Sequence, residues 1–555
     1  MARNGEGRRT RLVITAAVLV LGAALSGSRI STAQQSDSPL DAAIARLRQM
    51  ETGDGTGMVH LSASARNLLT LARRWPRLRA RTLADANISA AAPPILSALS
   101  LGTDLRRSRY SGFTQSETAT AWCGANVVMA FNDTAAEVVS TAAGRGISMD
   151  GYARSPDRGS TFTYMGSPAT ADDPNTFMSG DPTVACTDAE TFYYVSSYLD
   201  GTKGISGVSL SKSVNGGASF APPVEIAALP STSHIVSGAW IAADPNVPAR
   251  LYASFADLDF SGSICGTQEG SPVPRYAIDI VSSADAGSTW SPPVAVAEVC
   301  ADAAHEFAFV SGARTAIGPT GDVYVAWEQF GGTDPFSARQ IEIARSIDQA
   351  HSFAVPVTVA SLGCAGDCAD WQGLAHSNES PTLAIGKGSH SGMVYLAWND
   401  GDRQVPDALT TTGFYNFTDI KFSKSADNGA TWSSPVRVNN NREGSGTPMT
   451  DSFEPALATD ISGRIAICFY DRRNDPMNFL VDRYCAFSFN GGIWTNTRIT
   501  WSSFPTIVGQ DVLLAPDYMG DYDTLASDVL NHHSGFVGGF ASNKAGNPVI
   551  RSYLY

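Results

Sequence analysis

Short apolar segments recur along the chain and alternate with polar turns. Six of these segments are rich in aromatic and β-branched residues, a composition typical of β-strands. They are Asn126–Phe131, Tyr193–Tyr198, Leu251–Phe255, Val323–Trp327, Val394–Trp398 and Ile465–Phe469. A shorter strand of small residues precedes several of them, as in Asp181–Ala185, Ser380–Ala384 and Glu454–Ala458. The pattern predicts an all-β protein that repeats one small unit of strands.

A polar octet, Ser-x-Asp-x-Gly-x-Thr-Trp, lies downstream of each aromatic strand. Complete copies begin at Ser283 and Ser425, and imperfect copies begin at Ser155, Ser213, Ser346 and Ser488. The Asp or Asn side chain can accept hydrogen bonds from backbone N–H groups, and the glycine supplies a positive φ. Each octet therefore predicts a hairpin turn, in which the acidic or amide residue has a structural role. These residues, 58 to 79 positions apart, are Asp157, Asn215, Asp285, Asp348, Asp427 and Asn490.

The octet has the pattern of the Asp-box, or bacterial neuraminidase repeat, and residues 118–555 resemble the sialidase-like Asp-box β-propellers. The resemblance implies a β-propeller of four-stranded antiparallel blades, with each octet between the third and fourth strands. In a true sialidase an Arg-Ile-Pro type motif of the first blade helps to clamp the substrate carboxylate. Here the first blade has Arg145, Arg154 and Arg158 in other contexts. Because a bidentate clamp needs arginine geometry, strict sialidase activity is disfavoured.

A seventh unit lacks an octet. It comprises Tyr522–Ala526, Gly535–Phe540 and Val549–Tyr555. We therefore predict seven blades, with six, the number in the sialidase catalytic domain, as the alternative. A strand from near the start of the first blade is available to complete the last one.

Residues 1–33 have the features of an export signal. A basic start precedes an apolar stretch from Leu12 to Leu25, and Ala33 ends an A-x-A-like cleavage site. Removing this segment takes away five arginines and one glutamate, so the formal charge moves from −14 to −18. Such a balance disfavours nucleic acid and anionic membranes as partners. We expect a secreted or periplasmic protein without a membrane span, monomeric, with a carbohydrate or protein ligand.

Residues 34–105 differ from the rest of the chain. Leu40–Met50 and Leu61–Leu83 have helical patterns, and the second is rich in arginine. We interpret this segment as a solvated helical extension or linker. The alternative is that it docks on the acidic propeller or on a partner. The predicted propeller domain spans residues 106–555.

Eight cysteines are present, an even number that fits disulfides in an oxidising compartment. Their spacing predicts local pairs within blades and insertions, and leaves one pair to link blades one and two. A metal site at Cys364 and Cys368 is disfavoured, because no second Cys/His pair of matching type follows. The predicted pairs are Cys123–Cys186, Cys265–Cys300, Cys364–Cys368 and Cys468–Cys485.

The residues just before the innermost strands are the candidates for a ligand site, because they converge at the mouth of the channel. Glu379, Glu454, Tyr522 and Asp523 are the candidate catalytic residues. Asp181, Arg314 and Asp521 are the candidate substrate-binding residues. Gathered carboxylates can bind sugar hydroxyls, hold a cation such as Ca²⁺, or act as a glycosidase pair; no cofactor is required. Any single one of them can instead cap a turn.

Three histidines, His234, His305 and His376, precede blades three to five, but their spacing matches no zinc motif. The sequence thus favours a propeller that binds a glycan or a protein at its channel mouth. A glycoside hydrolase acting through rim carboxylates is the enzymatic alternative. A purely structural surface protein is the third hypothesis.

Overall fold

The computed structural model describes residues 99–100, 113–306, 308–332, 339–363, 380–406, 414–441, 449–506, 511, 519–545 and 548–555. The predictions made for the export signal, for the two helical segments, for the Cys364–Cys368 disulfide, for His376 and for Glu379 lie outside these residues.

Seven small antiparallel sheets follow one another along the described chain, so the predicted seven-bladed β-propeller is confirmed. The first blade has the strand order β1-β6-β5-β3-β2, and an insertion separates β3 from β5. Its strands and the insertion are β1 (Leu99–Ser100), β2 (Gln115–Cys123), β3 (Asn126–Asp133), α1 (Thr134–Ala143), β4 (Ile147–Ser148), β5 (Asp150–Ser155) and β6 (Thr161–Gly166).

The second and third blades carry extra strands beside their four. In blade two, β4 of the insertion pairs in parallel with β7. The strands of blade two are β7 (Thr176–Met178), β8 (Thr183–Cys186), β9 (Phe192–Asp200), β10 (Ile205–Ser213) and β11 (Val224–Pro230). Those of blade three, with the small hairpin β14–β15, are β12 (His234–Ala243), β13 (Leu251–Asp259), β14 (Thr267–Gln268), β15 (Ser271–Pro272), β16 (Arg275–Ser283) and β17 (Val294–Cys300).

The fourth and fifth blades are regular four-stranded sheets. Blade four consists of β18 (Phe309–Ile317), β19 (Val323–Phe330), β20 (Arg339–Ser346) and β21 (Val357–Ser361). Blade five consists of β22 (Thr382–Ile385), the 3-10 helix Gly388–His390, β23 (Val394–Pro406), β24 (Phe414–Ser425) and β25 (Val436–Arg437).

The last two blades complete the ring. Blade six consists of β26 (Ser452–Thr459), β27 (Ile465–Asp471), β28 (Leu480–Ser488), β29 (Thr495–Arg498) and β30 (Phe504–Pro505). Blade seven consists of β31 (Leu525–Ala526), β32 (Val537–Ser542), the 3-10 helix Asn543–Ala545 and β33 (Val549–Leu554). Within the described residues blade seven has three strands, and it meets β2 through the parallel bridges Thr118–Asp523 and Trp122–Asp528. The fourth strand that we predict from near the start of the first blade stays a prediction, because residues 101–112 lie outside the described part of the chain.

The second strand of each blade explains the aromatic segments of the sequence. Every residue of β3, β9, β13 and β27 is buried. Such a strand packs against neighbouring blades on both faces, so its central residues are mostly apolar rather than alternating, and polar residues such as Asn132 lie near its ends. The indoles of Trp327 and Trp398 are fully buried in the equivalent strands of blades four and five.

The innermost strands β2, β8, β12, β18, β22, β26 and β31 surround the channel. When the seven inner strands are aligned with one another, each has an alanine at the equivalent position. We call these residues the alanine ring: Ala121, Ala185, Ala242, Ala316, Ala384, Ala458 and Ala526. Short side chains at this level leave the channel wide.

The octets form the turns between the third and fourth strands of blades one to six. In the third blade, Ser283 Oγ accepts from the Gly287 N–H at 3.0 Å and donates to Asp285 Oδ1 at 2.8 Å. Asp285 also accepts from the backbone N–H and the hydroxyl of Thr289, at 2.8 and 2.6 Å. The same bonds recur around Asp427. Each octet is therefore a self-contained hydrogen-bonded turn.

Three disulfides have the pairing that the sequence predicts. Cys123–Cys186 joins the inner strands of blades one and two, and Cys468–Cys485 joins two neighbouring strands of blade six. Cys265–Cys300 ties the insertion of blade three to its outer strand. In the described part of the chain no helix is long and apolar enough to cross a membrane.

The two ends of the channel differ in the turns that surround them. Because neighbouring strands of a blade are antiparallel, the third strand runs in the same direction as the first. The octets therefore lie at the end where the inner strands finish, which we call the octet end. The opposite end, where the inner strands begin, is called the bulge end.

Candidate functional site

The inner strands begin with β-bulges at the bulge end. The pairing register shifts after Ser116 in β2, Ser237 in β12, Ser311 in β18 and Phe453 in β26. A bulge re-aims the side chain at its extra residue and is common next to binding sites. The residues at or just before this position have a positive φ, and they are Glu117 (58°), Asp181 (52°), Gly238 (63°), Gly312 (70°) and Glu454 (49°).

Three of these bulge residues are carboxylates rather than glycines. A positive φ costs a non-glycine residue about 1–2 kcal/mol. Glu117, Asp181 and Glu454 nevertheless adopt it, and all three are buried. Backbone strain of this kind tends to accumulate at functional sites. Glu117 was missed in the sequence, because it precedes Thr118 where Asp181 and Glu454 precede proline.

Hydrogen bonds tie these carboxylates to the neighbouring blades. The Asn132 amide donates to Glu117 Oε2 at 2.5 Å, and its Oδ1 accepts from the Asp181 N–H at 3.0 Å. Glu117 Oε1 accepts from the Asp521 N–H at 3.1 Å, and Asp181 Oδ2 accepts from the Gly238 N–H at 3.1 Å. These carboxylates thus bind backbone groups of other blades, and none of these bonds is the local turn cap considered for single residues. A carboxylate oxygen has two lone pairs, so each can still accept from a ligand.

Arg314 lies among aromatic rings beside these carboxylates. Its guanidinium carbon is 4.2 Å from the ring centroid of Trp240 and 5.1 Å from that of Tyr522. The two rings meet edge to face with centroids 5.9 Å apart. Arg314 is buried, whereas Trp240 and Tyr522 are partly exposed. The three side chains form a cation–π stack that faces the bulge end.

Burial and the nearby acidic groups have opposite effects on the pKa of Arg314. Burial lowers the pKa of Arg314 to about 10, while Tyr522, Glu117, Asp521 and Asp181 act to raise it. Arg314 therefore stays cationic at neutral pH. Burial raises the pKa of Tyr522 well above its usual value, and Glu117 and Asp181 raise it further. The Tyr522 hydroxyl donates to the Pro182 carbonyl at 3.1 Å, so it is a neutral, oriented phenol.

A small crevice brings most of the predicted residues together. Its volume is about 10 Å³, which is room for about one water molecule. Arg314, Glu454, Asp521, Tyr522 and Asp523 all line it. Asp181 is joined to this group through Tyr522 and Pro182. The connections that lead into β22, β26 and β31 lie largely outside the described residues.

Asp523 is held by protein groups on both carboxylate oxygens. Thr118 donates to Oδ1 from its hydroxyl at 2.8 Å, and Arg483 pairs with Oδ2 at 3.2 Å. Arg483 in turn stacks on the ring of Tyr470 at 4.7 Å. Burial raises the pKa of Asp523, although Arg483 acts to lower it. The geometry gives Asp523 the position of a link between blades one, six and seven.

Asp150 is a second residue that the sequence analysis missed. It begins β5 opposite Asn132 and is fully buried. Burial raises the pKa of Asp150 to about 8, the Ser196 hydroxyl opposes this, and Asp181 adds to it. At neutral pH the site thus contains a neutral carboxylic acid behind the ionised residues of the mouth. Its position depends on the insertion before β5, which no local pattern reveals.

The histidines are bound to carboxylates away from the crevice. His234 Nδ1 is 2.9 Å from Asp257 Oδ1, and His305 Nδ1 is 3.0 Å from Asp302 Oδ1. Across the described part of the chain, no group of three or more His, Cys, Asp or Glu side chains is arranged to hold a metal ion.

No protein-family model and no curated protein matches this chain. Among solved structures, it is similar to a PL25 ulvan lyase, with 11% identity, a TM-score of 0.47 and coverage of 82% of this chain and 95% of that one. It is also similar to a Hadza microbial sialidase, Hz136, with 14% identity, a TM-score of 0.40 and coverage of 72% and 73%. For an α-L-arabinofuranosidase of Fusarium graminearum the values are 11%, 0.39, 67% and 92%. Likenesses this remote carry no argument about activity, which rests on the site itself.

Proposed function

We propose that this protein binds a neutral carbohydrate at the bulge end of its channel. The observation that carries the proposal is the Arg314 stack, with the partly exposed rings of Trp240 and Tyr522 beside Glu117 and Asp181. A sugar ring has an apolar C–H face and a rim of hydroxyls. The aromatic rings suit the face, and the carboxylates and the guanidinium suit the hydroxyls.

The charge balance around Arg314 favours a neutral sugar over an acidic one. Glu117, Asp181 and Asp521 already act on this guanidinium. A substrate carboxylate would approach the same field and be repelled by three like charges. Hydroxyl groups, which both donate and accept, pair with either sign of charge.

The experiment is a calorimetric titration with two panels of oligosaccharides, one neutral and one sialylated. We expect binding within the neutral panel and weak or no binding within the sialylated panel. Trp240→Ala should weaken binding at least about tenfold, because stacking contact is lost. Trp290→Ala, a half-buried indole of an octet, is the matched control and should lower only the melting temperature. Tight binding of sialosides, or equal losses in both variants, would refute the proposal.

The compartment is part of the same proposal: the protein acts outside the cytoplasm. Its support is the three disulfides, which persist in oxidising surroundings. Cell fractionation with a tagged full-length chain tests this, and recovery of reduced protein in the cytoplasm would contradict it.

A second candidate function is glycoside hydrolysis, which the gathering of Glu454 and Asp523 in one crevice favours. Hydrolysis needs one carboxyl group that is protonated and one that is ionised. Burial raises the pKa of Asp523, and Glu454 lines the same crevice. Mass spectrometry of released sugars tests the idea. Release that is lost in both Asp523→Asn and Glu454→Gln, with binding retained, would establish an enzyme. No release from a bound glycan would leave the binding function.

A further inference from the structure

The channel opens at the octet end into a cavity that the bulge-end site does not use. Its volume is about 820 Å³, within the range of small-molecule sites. All seven members of the alanine ring line it. Their methyl groups leave space that larger side chains would fill. The flanking residues Val184, Ile241, Leu383 and Leu457 add an aliphatic part to the wall, and hydroxyl residues such as Thr120, Thr315 and Ser527 make the rest polar.

Lys387 is the one cationic side chain among the described residues that line this cavity. It follows β22, and its Nζ donates to Ser527 Oγ at 2.7 Å and to the Asp528 carbonyl at 3.1 Å. An ammonium group has three N–H donors. Two of them reach neutral oxygens, and the third has no acceptor in the part of the chain that the structure describes.

The acidic residues nearest to Lys387 are directed elsewhere. Asp528 accepts at its carboxylate from the backbone N–H of Gly124 and from His533 Nδ1, both at 2.9 Å. Asp460 accepts from the N–H and the hydroxyl of Ser462. Neither lines the cavity, and the other titratable lining residue is the exposed His532. Burial lowers the pKa of Lys387 to about 8, and Asp528 and Asp460 oppose this, so the group is mainly protonated at neutral pH.

We propose that the octet-end cavity binds an amphipathic carboxylate, with its hydrocarbon chain against the aliphatic wall and its carboxylate on Lys387. The single cation fits one negative charge, and the small lining residues fit an unbranched apolar body. A sugar fits less well, because no carboxylate lines the described wall and the aromatic surface is limited to the buried Trp122. This site is independent of the carbohydrate proposal, since it lies at the other end of the channel.

The probe is octanoate, titrated by calorimetry into the mature protein at pH 7, with 1-octanol and acetate as controls. Octanoate should bind, with octanol about tenfold weaker or worse for lack of charge, and acetate weaker still for lack of chain. Equal binding of octanol would show an apolar pocket without charge recognition and would overturn the role of Lys387. Binding of acetate as tight as that of octanoate would show a simple anion site and would equally contradict the proposal.

Variants test whether the ligand carboxylate contacts Lys387. Lys387→Met should weaken octanoate binding about tenfold, and Lys387→Arg should restore most of it, because the cation is retained. Lys424→Met is the matched control, since Lys424 donates to the Asn490 carbonyl on the surface of the octet end. Melting curves confirm that each variant folds. Unchanged binding in Lys387→Met, or no binding of octanoate to the folded parent protein, would overturn the inference; loss of glycan binding alone would not affect it.

Discussion

The acidic residues of the octets and those of the bulge end are held under opposite conditions. At the octet end, Asp285, Asp348 and Asp427 are exposed, and hydrogen bonds from Thr289, Ser352 and Thr431 lower the pKa of each to about 2. At the bulge end the carboxylates are buried, and three of them have a strained backbone.

This difference indicates which of the two repeated features, the octets or the starts of the inner strands, is the better candidate for a functional site. An exposed Asp whose lone pairs are filled by its own turn is in its most stable arrangement and has little to offer a ligand. A buried carboxylate with a strained backbone is in an unfavourable environment and conformation, which the rest of the fold must stabilise. The octet is the more conspicuous pattern in the sequence, but the bulge end has the chemistry.

The largest expected effect is that of Arg314→Met. It leaves Glu117, Asp181 and Asp521 without their shared cation, so we expect a loss of about 3–5 kcal/mol in unfolding free energy and loss of glycan binding. Chemical denaturation and calorimetry measure the two effects. Arg158→Met, at an exposed position of the first octet, should change neither. Similar losses in both variants would remove the distinction between the two ends.

Asp150→Asn should stabilise the fold, and more so at high pH. The pKa of Asp150 is about 8 in the fold against 3.8 in the unfolded chain, so the folded state holds the extra proton between these values. Stability from this group is therefore greatest at low pH and falls as the pH rises from about 4 to about 8. We expect the variant to gain up to about 6 kcal/mol at pH 9 and much less at pH 4, measured by urea unfolding. A gain that does not depend on pH would contradict the assignment.

Ser425→Ala tests the octet end with a substitution that does not change the charge. Its buried hydroxyl accepts from the N–H groups of Asp427 and Gly429. Leaving them without an acceptor should cost about 1–3 kcal/mol of unfolding free energy. Glycan affinity should be unchanged, because the turn lies at the opposite end. A selective loss of binding at unchanged stability would give the octet a direct ligand role.

The smallest expected effect is that of Gln349→Gly. Gln349 is exposed in the degraded octet of blade four and has a φ of 65°. Glycine relieves this strain but loses more entropy on folding, so the net gain should be about 0.5 kcal/mol. Asn428→Gly, at the matching position of blade five, should gain less because asparagine tolerates a positive φ. Differential scanning calorimetry compares the two, and a loss at Gln349 would disprove the strain.

The fold was largely predictable because its signals are local and repeated. Six octets and seven inner strands specify the number of blades, and cysteine spacing specifies three disulfides that the structure contains. Helix α1 was missed, because its Ala- and Val-rich sequence lies between strands without a distinctive pattern.

The site was predictable only in part. Asp181, Glu454 and Tyr522 were found because they occupy equivalent positions near the start of inner strands, and Arg314 because it lies close to that position. Trp240 lies two residues after Gly238, as Arg314 does after Gly312, but an aromatic residue in a strand is normally assigned to the core. Asp150, and the cavity next to Lys387, are products of tertiary packing and burial, which no spacing along the chain encodes.

The most direct test of the central claim is hydroxyl-radical footprinting of the protein with and without a bound neutral oligosaccharide. All four side chains followed here are partly exposed, so each can be oxidised. Oxidation rates of Trp240 and Tyr522 report on the bulge end, and those of Trp290 and Trp432 report on the octets. We predict that the glycan protects Trp240 and Tyr522 and leaves Trp290 and Trp432 unchanged. Protection of the octet tryptophans, with Trp240 and Tyr522 unaffected, would contradict the account.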